Sequence, residues 1–508
     1  MTNLLFDGLL AGNDTANTFA ETHDGRIYRY NDVMQDSARF ANLLIERGVK
    51  PGDRVAVQVP KSVEALMLYL GTVRAGGVFL PLNTAYTVTE IEYFLNNATP
   101  RILVCDPARV DEYNEPTGSR GITLETLGAT DESATATGSL AQALANADHT
   151  FENASCNKDD LAAILYTSGT TGRSKGAMLT HNNLLSNAKA LVDCWQLTAD
   201  DILLHALPIF HTHGLFVATN AILLASSSML FLPGFDADKV IEGLPRATTM
   251  MGVPTFYTRL LEDPRLTGEL VAPIRLFISG SAPLLAETHV AFEARTGKRI
   301  LERYGMTETS IITSNPYTGE RRAGTVGFPL PGVEIRITDA ESGEIITNGE
   351  TGSVEVKGPN VFKGYWQMPD KTQEDMRDDG FFITGDLGRI DEDGYLHIVG
   401  RAKDLIISGG YNIYPKELEL LIDDIEGVQE SAVFGVPHPD FGEGVVGVLV
   451  STNGYTLREE DILEMLKGKV ARFKQPKRLY LIDSLPRNTM GKVQKNILRE
   501  QYKDTFSV

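Results

Sequence analysis

Short apolar runs rich in β-branched residues alternate along the chain with stretches of helical periodicity. Residues 55–59 (VAVQV) and 162–166 (AAILY) have the composition of buried strands, and apolar side chains in residues 65–74 recur at helical spacing. This alternation predicts an α/β fold with substantial parallel sheet. In residues 352–399 the pattern changes to short strands between Gly and Asp turns, with a hairpin signal at Asp393-Gly394, so we expect a β-rich subdomain there.

Residues 202–235 contain no Asp, Glu, Lys or Arg and are numerous enough to span a bilayer. Histidine, proline and serine residues interrupt this stretch, however. We therefore predict a helix buried in a large core, followed by a strand at residues 229–232, and no membrane span. The N-terminal segment has no basic residue before Arg26, so we predict no secretory signal.

The chain has 508 residues, of which 42% are hydrophobic, and this size predicts more than one domain. Its 67 acidic and 47 basic residues give a formal net charge of −20, so repulsion disfavours unselective binding to nucleic acids or anionic membranes. The three cysteines have no CxxC spacing, which argues against a disulfide framework or structural zinc. Together these features predict a cytoplasmic protein without a nucleic-acid partner.

Charge is unevenly distributed along the chain. Residues 401–508 carry a formal charge of only −1, and the remainder of the chain carries −19. We therefore expect two domains, at residues 1–402 and 403–508. Within the second, residues 467–503 contain eleven Lys or Arg and only two acidic residues. Such a run is either a solvated surface or a mobile basic lobe that attracts substrates carrying phosphate.

The segment YTSGTTGRSKG, residues 166–176, follows an apolar strand and places four hydroxyl side chains and two glycines within six positions. Glycine allows close approach of the backbone, hydroxyls and amides donate hydrogen bonds, and Lys175 adds positive charge. These features predict a loop that binds a polyphosphate, although its spacing is not that of a Walker A loop.

Three further segments contain side chains suited to nucleotide chemistry. In RYGMTE, Tyr304 offers a stacking face, Thr307 a hydroxyl, and Glu308 a hard oxygen ligand for Mg²⁺. In TGD, Asp386 provides a carboxylate able to accept hydrogen bonds from both hydroxyls of a ribose. In PRNTMGK, Lys492 follows a glycine; a lysine in such a position is by itself most often a solvated charge.

Two other patterns are interpreted as structural or as substrate contacts. His205, His211 and His213 lie close together in sequence but lack an HExxH motif or a carboxylate framework, so we expect packing or substrate contact rather than a metal site. Residues 442–447 match the dinucleotide-binding pattern GxGxxG, but a strand-like run follows them. We interpret them as a turn at a sheet edge.

Taken together and in this order, these segments resemble the adenylate-forming superfamily of acyl-CoA synthetases, luciferases and peptide-synthetase adenylation domains. The resemblance extends over residues 30–492. It implies a large N-terminal α/β domain of mixed and parallel sheets, a small mobile α+β C-terminal domain, and a hinge between them. It also implies two half-reactions: a carboxylate and ATP give an acyl-adenylate and pyrophosphate with Mg²⁺ present, and the thiol of coenzyme A then gives a thioester and AMP.

The resemblance assigns residues of this sequence to separate parts of the site. It implies a triphosphate loop at Thr167, Ser168, Gly169, Thr170, Thr171, Gly172 and Lys175. It implies a wall around adenine and the AMP phosphate at Gly280, Ser281, Ala282, Arg303, Tyr304, Gly305, Met306 and Thr307. It further implies roles for Glu308 (Mg²⁺), Asp386 and Arg401 (ribose), Lys403 (hinge), Gly409 and Gly410 (thiol tunnel) and Lys492 (catalysis of adenylation).

Within the superfamily, the segments MGVPTFYTR, SGSAPL and MTETSIITSNPY are similar to malonyl-CoA synthetases. This similarity implies a small dicarboxylic acid, malonate or methylmalonate, whose unreacted carboxylate needs a positive partner in a site that excludes water. Arg259 is our candidate, because its planar fork matches a carboxylate, and Ser281 and His211 complete the cradle beside the reacting groups. The alternative is that Arg259 is an exposed helical residue paired with Glu262 or Asp263.

Other functions stay open at this stage. The chain could be a ligase for another aliphatic or aryl acid, or an adenylation domain that loads a carrier protein. It could also be a nucleotide-binding regulator without turnover, although the presence of both Glu308 and Lys492 argues against this. The segment around Lys492 resembles segments that are acetylated in this superfamily, which makes a lysine acetyltransferase and a deacetylase expected partners.

Overall fold

The computed structural model describes residues 2–128, 136–167, 174–340, 342–409, 411–452, 454–467, 469–488 and 491–506. These residues form fifteen α-helices and twenty-five β-strands. The helices are α1 (Leu4–Leu10), α2 (Tyr30–Glu46), α3 (Val63–Arg74), α4 (Val88–Ala98), α5 (Val110–Gly118), α6 (Ser139–Leu144), α7 (His181–Cys194), α8 (Asn220–Ala225), α9 (Ala237–Gly243), α10 (Pro254–Glu262), α11 (Ala286–Thr296), α12 (Pro369–Glu374), α13 (Pro415–Asp423), α14 (Glu459–Leu466) and α15 (Lys495–Gln501). The strands are β1 (Thr18–Thr22), β2 (Ile27–Arg29), β3 (Arg54–Gln58), β4 (Val78–Pro81), β5 (Ile102–Cys105), β6 (Thr123–Thr126), β7 (Leu161–Thr167), β8 (Lys175–Thr180), β9 (Ile202–His205), β10 (Ser228–Phe231), β11 (Thr249–Gly252), β12 (Leu276–Ser279), β13 (Ile300–Met306), β14 (Ser310–Ser314), β15 (Phe328–Pro329), β16 (Glu334–Thr338), β17 (Gly352–Lys357), β18 (Gly364–Tyr365), β19 (Phe382–Ile390), β20 (Leu396–Arg401), β21 (Ile406–Ser408), β22 (Tyr411–Ile413), β23 (Val428–His438), β24 (Gly442–Ser451) and β25 (Arg478–Leu481).

Two large sheets organise the N-terminal part of the molecule. One has seven strands in the order β18-β8-β7-β4-β3-β5-β6, and the other has nine in the order β15-β14-β13-β12-β11-β9-β10-β1-β2. The strands from β7 to β6 and from β13 to β1 run parallel to their neighbours, while the remaining edge strands are antiparallel. Parallel neighbours need crossover connections, here mostly helices that cover the sheet faces. The α/β expectation is confirmed.

Helix α3 shows how the two sheets share one core. Its residues are apolar nearly all round, and Leu66, Met67 and Tyr69 on different sides of the helix are all buried. They belong to one hydrophobic cluster with Val55 of the seven-stranded sheet and Leu203 of the nine-stranded sheet. A helix without a polar face is stable in water only when other elements enclose it, as these do.

Residues 202–235, the stretch without Asp, Glu, Lys or Arg, contribute to this core. After β9, a π-helical segment, His213–Thr219, continues into α8, and β10 follows. The predicted buried helix and the strand after it are confirmed, whereas the π-helical geometry has no counterpart in the sequence expectation. Among the described residues, no helix is both long enough and apolar enough to cross a membrane.

Strands β16, β17, β19 and β20 form a separate antiparallel sheet, which confirms the β-rich subdomain. The predicted hairpin turn joins β19 to β20: the amide of Gly394 donates to the carbonyl of Asp391 at 3.0 Å. Gly394 has a φ of 86°, in the left-handed region that favours glycine at such a turn.

A smaller α+β unit follows, as expected. Its sheet has the order β22-β21-β24-β23, with β25 beside β24. Helices α13 and α14 pack on one face of this sheet and α15 on the other, around two hydrophobic clusters. Strand β20 ends at Arg401 and β21 begins at Ile406. The division of the chain at residue 402 stays a prediction.

The interpretation of residues 442–447 as a turn is wrong. Strand β24 already begins at Gly442 and pairs with β23 over its whole length. Gly444 serves packing instead: the Phe506 ring lies within 3.0 Å of the position that a Cβ at Gly444 would take. Absence of a side chain therefore makes room for the C-terminal segment against a central strand.

Candidate active site

The site residues gather at the carboxyl ends of β12 and β13, two parallel neighbours in the nine-stranded sheet. In their register, Ser279 is opposite Glu302. The loop after β12 supplies Gly280, Ser281 and Ala282, the second half of β13 supplies Arg303, Tyr304, Gly305 and Met306, and the next turn supplies Thr307 and Glu308. The carboxyl edge of a parallel sheet is where α/β folds commonly bind ligands.

Asp386 is a buried carboxylate held from two sides. It is opposite Arg401 in the pairing of β19 with β20, and Arg401 Nε lies 2.9 Å from Asp386 Oδ1. The Tyr304 hydroxyl donates to the other oxygen, Oδ2, at 2.5 Å. Burial raises the pKa of Asp386, and the Arg401 guanidinium opposes that rise. The hairpin thus presents a fixed carboxylate with lone pairs left for hydroxyl donors, and it brings the predicted ribose pair together.

Lys492 reaches the same site from the C-terminal unit. Two hydrogen bonds with Asn488 close its loop: the Asn488 amide donates to the Lys492 carbonyl at 2.9 Å, and the Lys492 amide donates to Asn488 Oδ1 at 3.0 Å. Part of the residue is exposed to solvent, while protein surrounds much of its ammonium group. Burial and the Arg401 charge lower the pKa of Lys492, and Asp386 opposes them. The structure therefore places this lysine among charges of the N-terminal part.

Glu308 and Lys175 meet around a tyrosine that the sequence analysis missed. The Tyr365 hydroxyl donates to Oε1 of the buried Glu308 at 3.0 Å. Lys175 Nζ lies 4.2 Å from the centroid of the same ring and 3.9 Å from Asp375 Oδ2. Tyr365 lies in β18, a two-residue strand that pairs with β8. So short a strand has no periodic pattern, and the adjacent Trp366 is its one weak signal in the sequence.

The described residues frame the predicted triphosphate loop. Thr167 ends β7 and Lys175 begins β8, two antiparallel neighbours in register. In the C-terminal unit, Gly409 follows β21 with a φ of 60°, again in the region that favours glycine. The remaining predicted positions, Ser168, Gly169, Thr170, Thr171, Gly172 and Gly410, lie outside the described residues.

Glu308 is suited to hold Mg²⁺ together with a nucleotide. No group of three or more His, Cys, Asp or Glu in the described part of the chain could hold a metal ion. Mg²⁺ that accompanies a nucleotide takes most of its ligands from phosphate and water, and it needs only one or two carboxylates. Glu308 is buried, and the tyrosine bond leaves carboxylate lone pairs for such an ion.

Arg303 is a buried guanidinium for which the described residues provide no acidic partner. Only 5% of the residue is exposed, and its Nε and Nη2 groups find no hydrogen-bond acceptor among the described residues. Burial lowers the pKa of Arg303 to about 9, because protein solvates the charge less well than water does. A Cβ at Gly280 would lie within 3.0 Å of this guanidinium. A buried cation of this kind is costly unless an anion joins it, so the arrangement fits a carboxylate ligand.

Two neutral histidines and a strained serine complete this part of the site. Ser281 has a φ of 70°, which is rare outside glycine, and its Oγ lies 3.2 Å from His213 Nδ1. Burial, with the charges of Lys492 and Arg303 adding to it, lowers the pKa of His211 to about 3. Burial likewise holds the pKa of His213 well below its usual value. His211 Nδ1 and His213 Nε2 have no partner within the described ranges, so both rings can bond to a bound acid.

Arg259 does not lie in this cluster. Helix α10 is amphipathic and buries Phe256 and Tyr257, which turns Arg259, in its last turn, outward. The Arg259 guanidinium is exposed, and its Cζ lies 5.9 Å from the centroid of the Phe235 ring. Arg259 faces solvent because the opposite face of α10 packs against the core.

The exposed helical position matches the alternative expectation for Arg259, but neither expected set of partners contacts it. Among the described residues, Arg259 makes no hydrogen bond to Ser281 or His211, so the structure brings those two to the site without it. It forms no ion pair with Glu262 or Asp263 in that part of the chain either, and Asp263 instead pairs with a neighbouring arginine at 2.6 Å.

An ion pair anchors the interdomain segment on each side. Arg401 belongs to the pair described above, and on the other side Asp404 Oδ1 lies 2.8 Å from Arg499 Nη2 in α15. Lys403 lies between these anchors, in the 3₁₀ turn Ala402–Asp404. A change in domain orientation that keeps both pairs must be absorbed within this turn.

Comparison with known proteins identifies relatives along nearly the whole chain. The model of the AMP-binding enzyme family matches residues 11–366, and the model of the AMP-binding enzyme C-terminal domain matches residues 417–492. The malonate–CoA ligase of Arabidopsis thaliana is 35% identical over 523 residues, which cover 94% of this chain and 85% of that protein.

Solved structures extend the similarity to the arrangement of the domains. The structure of ATP-bound MatB from Rhodopseudomonas palustris has a TM-score of 0.97 and 57% sequence identity, with both chains covered completely. The apo structure of the same protein, also covered completely, has a TM-score of 0.85. The present chain is therefore more similar in arrangement to that ATP-bound structure.

Proposed function

Because the chain belongs to the AMP-binding enzyme family, we propose that it is an ATP-dependent acid–CoA ligase whose acid is malonate. In the first step, a carboxylate oxygen of malonate attacks the α-phosphorus of ATP, which forms malonyl-adenylate and releases pyrophosphate. In the second, the thiol of coenzyme A attacks the acyl carbon and displaces AMP. The unpartnered guanidinium of Arg303 is the observation that favours a dicarboxylic acid.

Malonate brings one carboxylate to the reaction and a second one into the pocket. The second carboxylate would pair with Arg303, whose planar fork can bond both oxygens. Ser281 and His213, already in contact with each other, can add donors to it. A monocarboxylic acid of the same length, which has no second carboxylate, would leave the buried Arg303 guanidinium without a counterion. Arg303 therefore replaces Arg259 as the partner that we assign to the free carboxylate.

Adenylation brings an anionic acid against a polyanionic nucleotide, so the site must offset their repulsion. Lys492 supplies an ammonium among the charges of Arg401 and Asp386, where charge at the α-phosphate and the carboxylate would converge. Lys175 supplies a second ammonium at the base of the predicted triphosphate loop. Glu308 would hold Mg²⁺, and that ion, when bound, supplies positive charge to the phosphates.

Thioester formation needs room for the pantetheine arm of coenzyme A. Rotation of the C-terminal unit about Lys403 would withdraw Lys492 and bring the turn at Gly409 to the site. The two ion pairs that flank the turn support a pivot at this position. The TM-scores against ATP-bound and apo MatB support the view that the present arrangement is the one for adenylation.

The basic run in the C-terminal unit offers a surface for coenzyme A. Tyr411 and Phe473 are exposed and stacked, with ring centroids 4.4 Å apart, and Lys477 Nζ lies 4.8 Å from the centroid of the exposed Phe441 ring. Exposed aromatic residues beside ammonium groups suit a ligand that carries both a base and phosphates. This favours the phosphate-attracting interpretation of residues 467–503 over a merely solvated surface.

ATP–pyrophosphate exchange with a panel of acids tests the proposal. Malonate should support the fastest exchange, methylmalonate should be its main competitor, and butyrate should be poor. A second assay compares coenzyme A with a phosphopantetheinyl carrier protein as the thiol, and coenzyme A should be acylated. Faster exchange with monocarboxylic acids such as butyrate than with malonate would refute the dicarboxylate assignment. Acylation of the carrier alone would refute the assignment as a CoA ligase.

A further inference from the structure

Lys61 has an enclosed amino group for which the described residues provide no carboxylate. Its Nζ lies 2.9 Å from both the Nδ1 atom and the carbonyl oxygen of His205, and 4.3 Å from the centroid of the Phe231 ring. Burial holds the pKa of Lys61 well below its usual value. Lys61 follows β3 in the seven-stranded sheet, whereas His205 ends β9 in the nine-stranded sheet. These bonds therefore join the two large sheets.

The contacts of His205 select one tautomer of its ring. Nε2 lies 3.0 Å from the carbonyl oxygen of Gly214, and because a carbonyl only accepts, Nε2 carries the proton. Burial keeps the ring neutral, so Nδ1 has a bare lone pair. Lys61 supplies the donor for that lone pair. Without it, a fully buried nitrogen would lack a partner and the ring would lose the bond that orients it.

The Gly214 carbonyl belongs to the first turn of the π-helical segment. It also accepts a hydrogen bond from the Thr219 hydroxyl at 2.9 Å, so two donors hold it. Gly214 is tightly packed, because a Cβ there would overlap the carbonyl oxygen of Pro208. π-helical turns are rare and costly, and they occur frequently at functional sites. The residue just before this glycine is His213, which contacts Ser281. Together with Arg303 and His211, these two residues form what we call the acid pocket.

We propose that Lys61 is a positioning residue for the acid: it acts through His205 and the Gly214 carbonyl to hold the π-helical turn that sets His213 against Ser281. This inference rests on the proposed function in taking malonate as the acid. Among the described residues, the contacts of Lys61 are to His205 and Phe231, neither of which we place against the nucleotide, so its influence should be confined to the acid pocket.

Lys61→Met tests the proposal, because it keeps an unbranched apolar stem and removes every donor. The KM for malonate should rise about tenfold, the usual effect of one buried hydrogen bond, while the KM for ATP should not change. Lys298→Met is the matched control, since Lys298 also donates to a backbone carbonyl, that of Ala272, at 3.1 Å. An unchanged KM for malonate, or equal rises for malonate and ATP, would overturn the proposal.

A double-mutant cycle with His205→Phe separates positioning from general stability. Phenylalanine keeps a ring of similar size but has no nitrogen that could link Lys61 to the Gly214 carbonyl, so Lys61→Met should have little further effect on the KM for malonate in that background. An equal effect of Lys61→Met in both backgrounds would show that Lys61 does not act through His205.

Selective ¹⁵N labelling of histidine gives a readout that does not depend on turnover. Wild-type His205 should show a protonated Nε2 and a hydrogen-bonded, unprotonated Nδ1, and Lys61→Met should shift the Nδ1 signal. An unshifted signal would contradict the proposal. If the wild type shows no malonate-dependent exchange, the proposed function fails, while this measurement still decides whether the network exists.

Discussion

Lys492 belongs to the C-terminal unit, yet the charges that act on its ammonium, including those of Arg401, Asp386 and Glu308, belong to the N-terminal part. Rotation of the small unit would therefore remove this ammonium while leaving the nucleotide pocket in place. A residue carried by a mobile unit in this way can act in one half-reaction and lie outside the site during the other.

We expect Lys492→Ala to reduce malonate-dependent ATP–pyrophosphate exchange by about a thousandfold, as loss of a preorganised donor at developing charge does. Conversion of supplied malonyl-adenylate to malonyl-CoA should be unaffected, because AMP already activates the acyl group. Lys503→Ala is the control, since it removes an exposed lysine paired with Glu500. Equal losses in the two half-reactions would refute this division of labour.

Arg303 and Arg259 can be compared directly as partners of the free carboxylate. Arg303→Met should lower kcat/KM for malonate by at least about 100-fold, since a desolvated, charge-assisted pair is worth roughly 3 kcal/mol. Activity with butyrate should fall far less. Arg259→Leu, at an exposed position, should leave both acids nearly unchanged. A selective loss of malonate activity in Arg259→Leu would reverse the assignment.

At the scale of elements, we propose that the two units change orientation at the 3₁₀ turn around Lys403. A 3₁₀ conformation has φ between about −50° and −70°, the range to which the proline ring fixes φ. Lys403→Pro should therefore preserve the described arrangement and prevent the other. We expect pyrophosphate exchange to be retained and thioester formation from malonyl-adenylate to be lost. Lys403→Ala, which keeps the freedom of φ, should support both steps.

Rapid-quench measurement of the two half-reactions distinguishes these outcomes. Normal thioester formation by Lys403→Pro would place the pivot outside the turn. Loss of adenylation instead would mean that proline disturbs the residue before it, whose helical conformation proline disfavours.

The elements with regular hydrophobic spacing could be predicted from the sequence, and those defined by tertiary packing could not. Strand β7 and helix α3 have continuous apolar patterns, and both lie where the pattern predicts. The π-helical segment has no characteristic spacing, because a bulge of this kind depends on what packs around it. Tyr365 was missed for a similar reason, since pairing across nearly 190 residues creates β18.

Several residues of the candidate site could be proposed from the sequence, but their arrangement could not. Asp386 and Arg401 are fifteen residues apart, and the hairpin signal between them already indicated that they could meet. Arg259 and Arg303 both lie in segments near the pocket. Which of them faces it depends on the side of α10 that packs on the sheet, and no local pattern reveals that choice.

At the scale of the whole molecule, buried neutral histidines link the stability of the fold to pH. His181 joins α7 to α1 by accepting the Leu5 amide at Nδ1, at 3.2 Å, and burial lowers its pKa to about 4. The unfolded chain binds a proton below pH 6.5 that the folded chain excludes down to about pH 4. The free energy of unfolding therefore falls as the pH falls through this window.

His181→Asn should reduce this loss, because the asparagine oxygen can accept the Leu5 amide without titrating. The slope of the free energy of unfolding against pH should decrease by up to one proton, about 1.4 kcal/mol per pH unit, between pH 6.5 and about pH 4. Urea unfolding across this range measures the slope. An unchanged slope would mean that His181 is protonated in the folded protein.

In the absence of acid, Arg303 leaves the folded protein with an uncompensated charge in its interior. Malonate would then act as a removable part of the core, and the melting temperature should rise steeply with malonate and little with butyrate. The melting temperature of Arg303→Met should be higher than that of the ligand-free wild type, and it should not respond to malonate. Differential scanning fluorimetry measures both effects. Equal melting temperatures of the variant and the ligand-free wild type would contradict this expectation. Selection for heat tolerance alone would thus favour replacement of Arg303, and only selection for turnover of the acid would retain it.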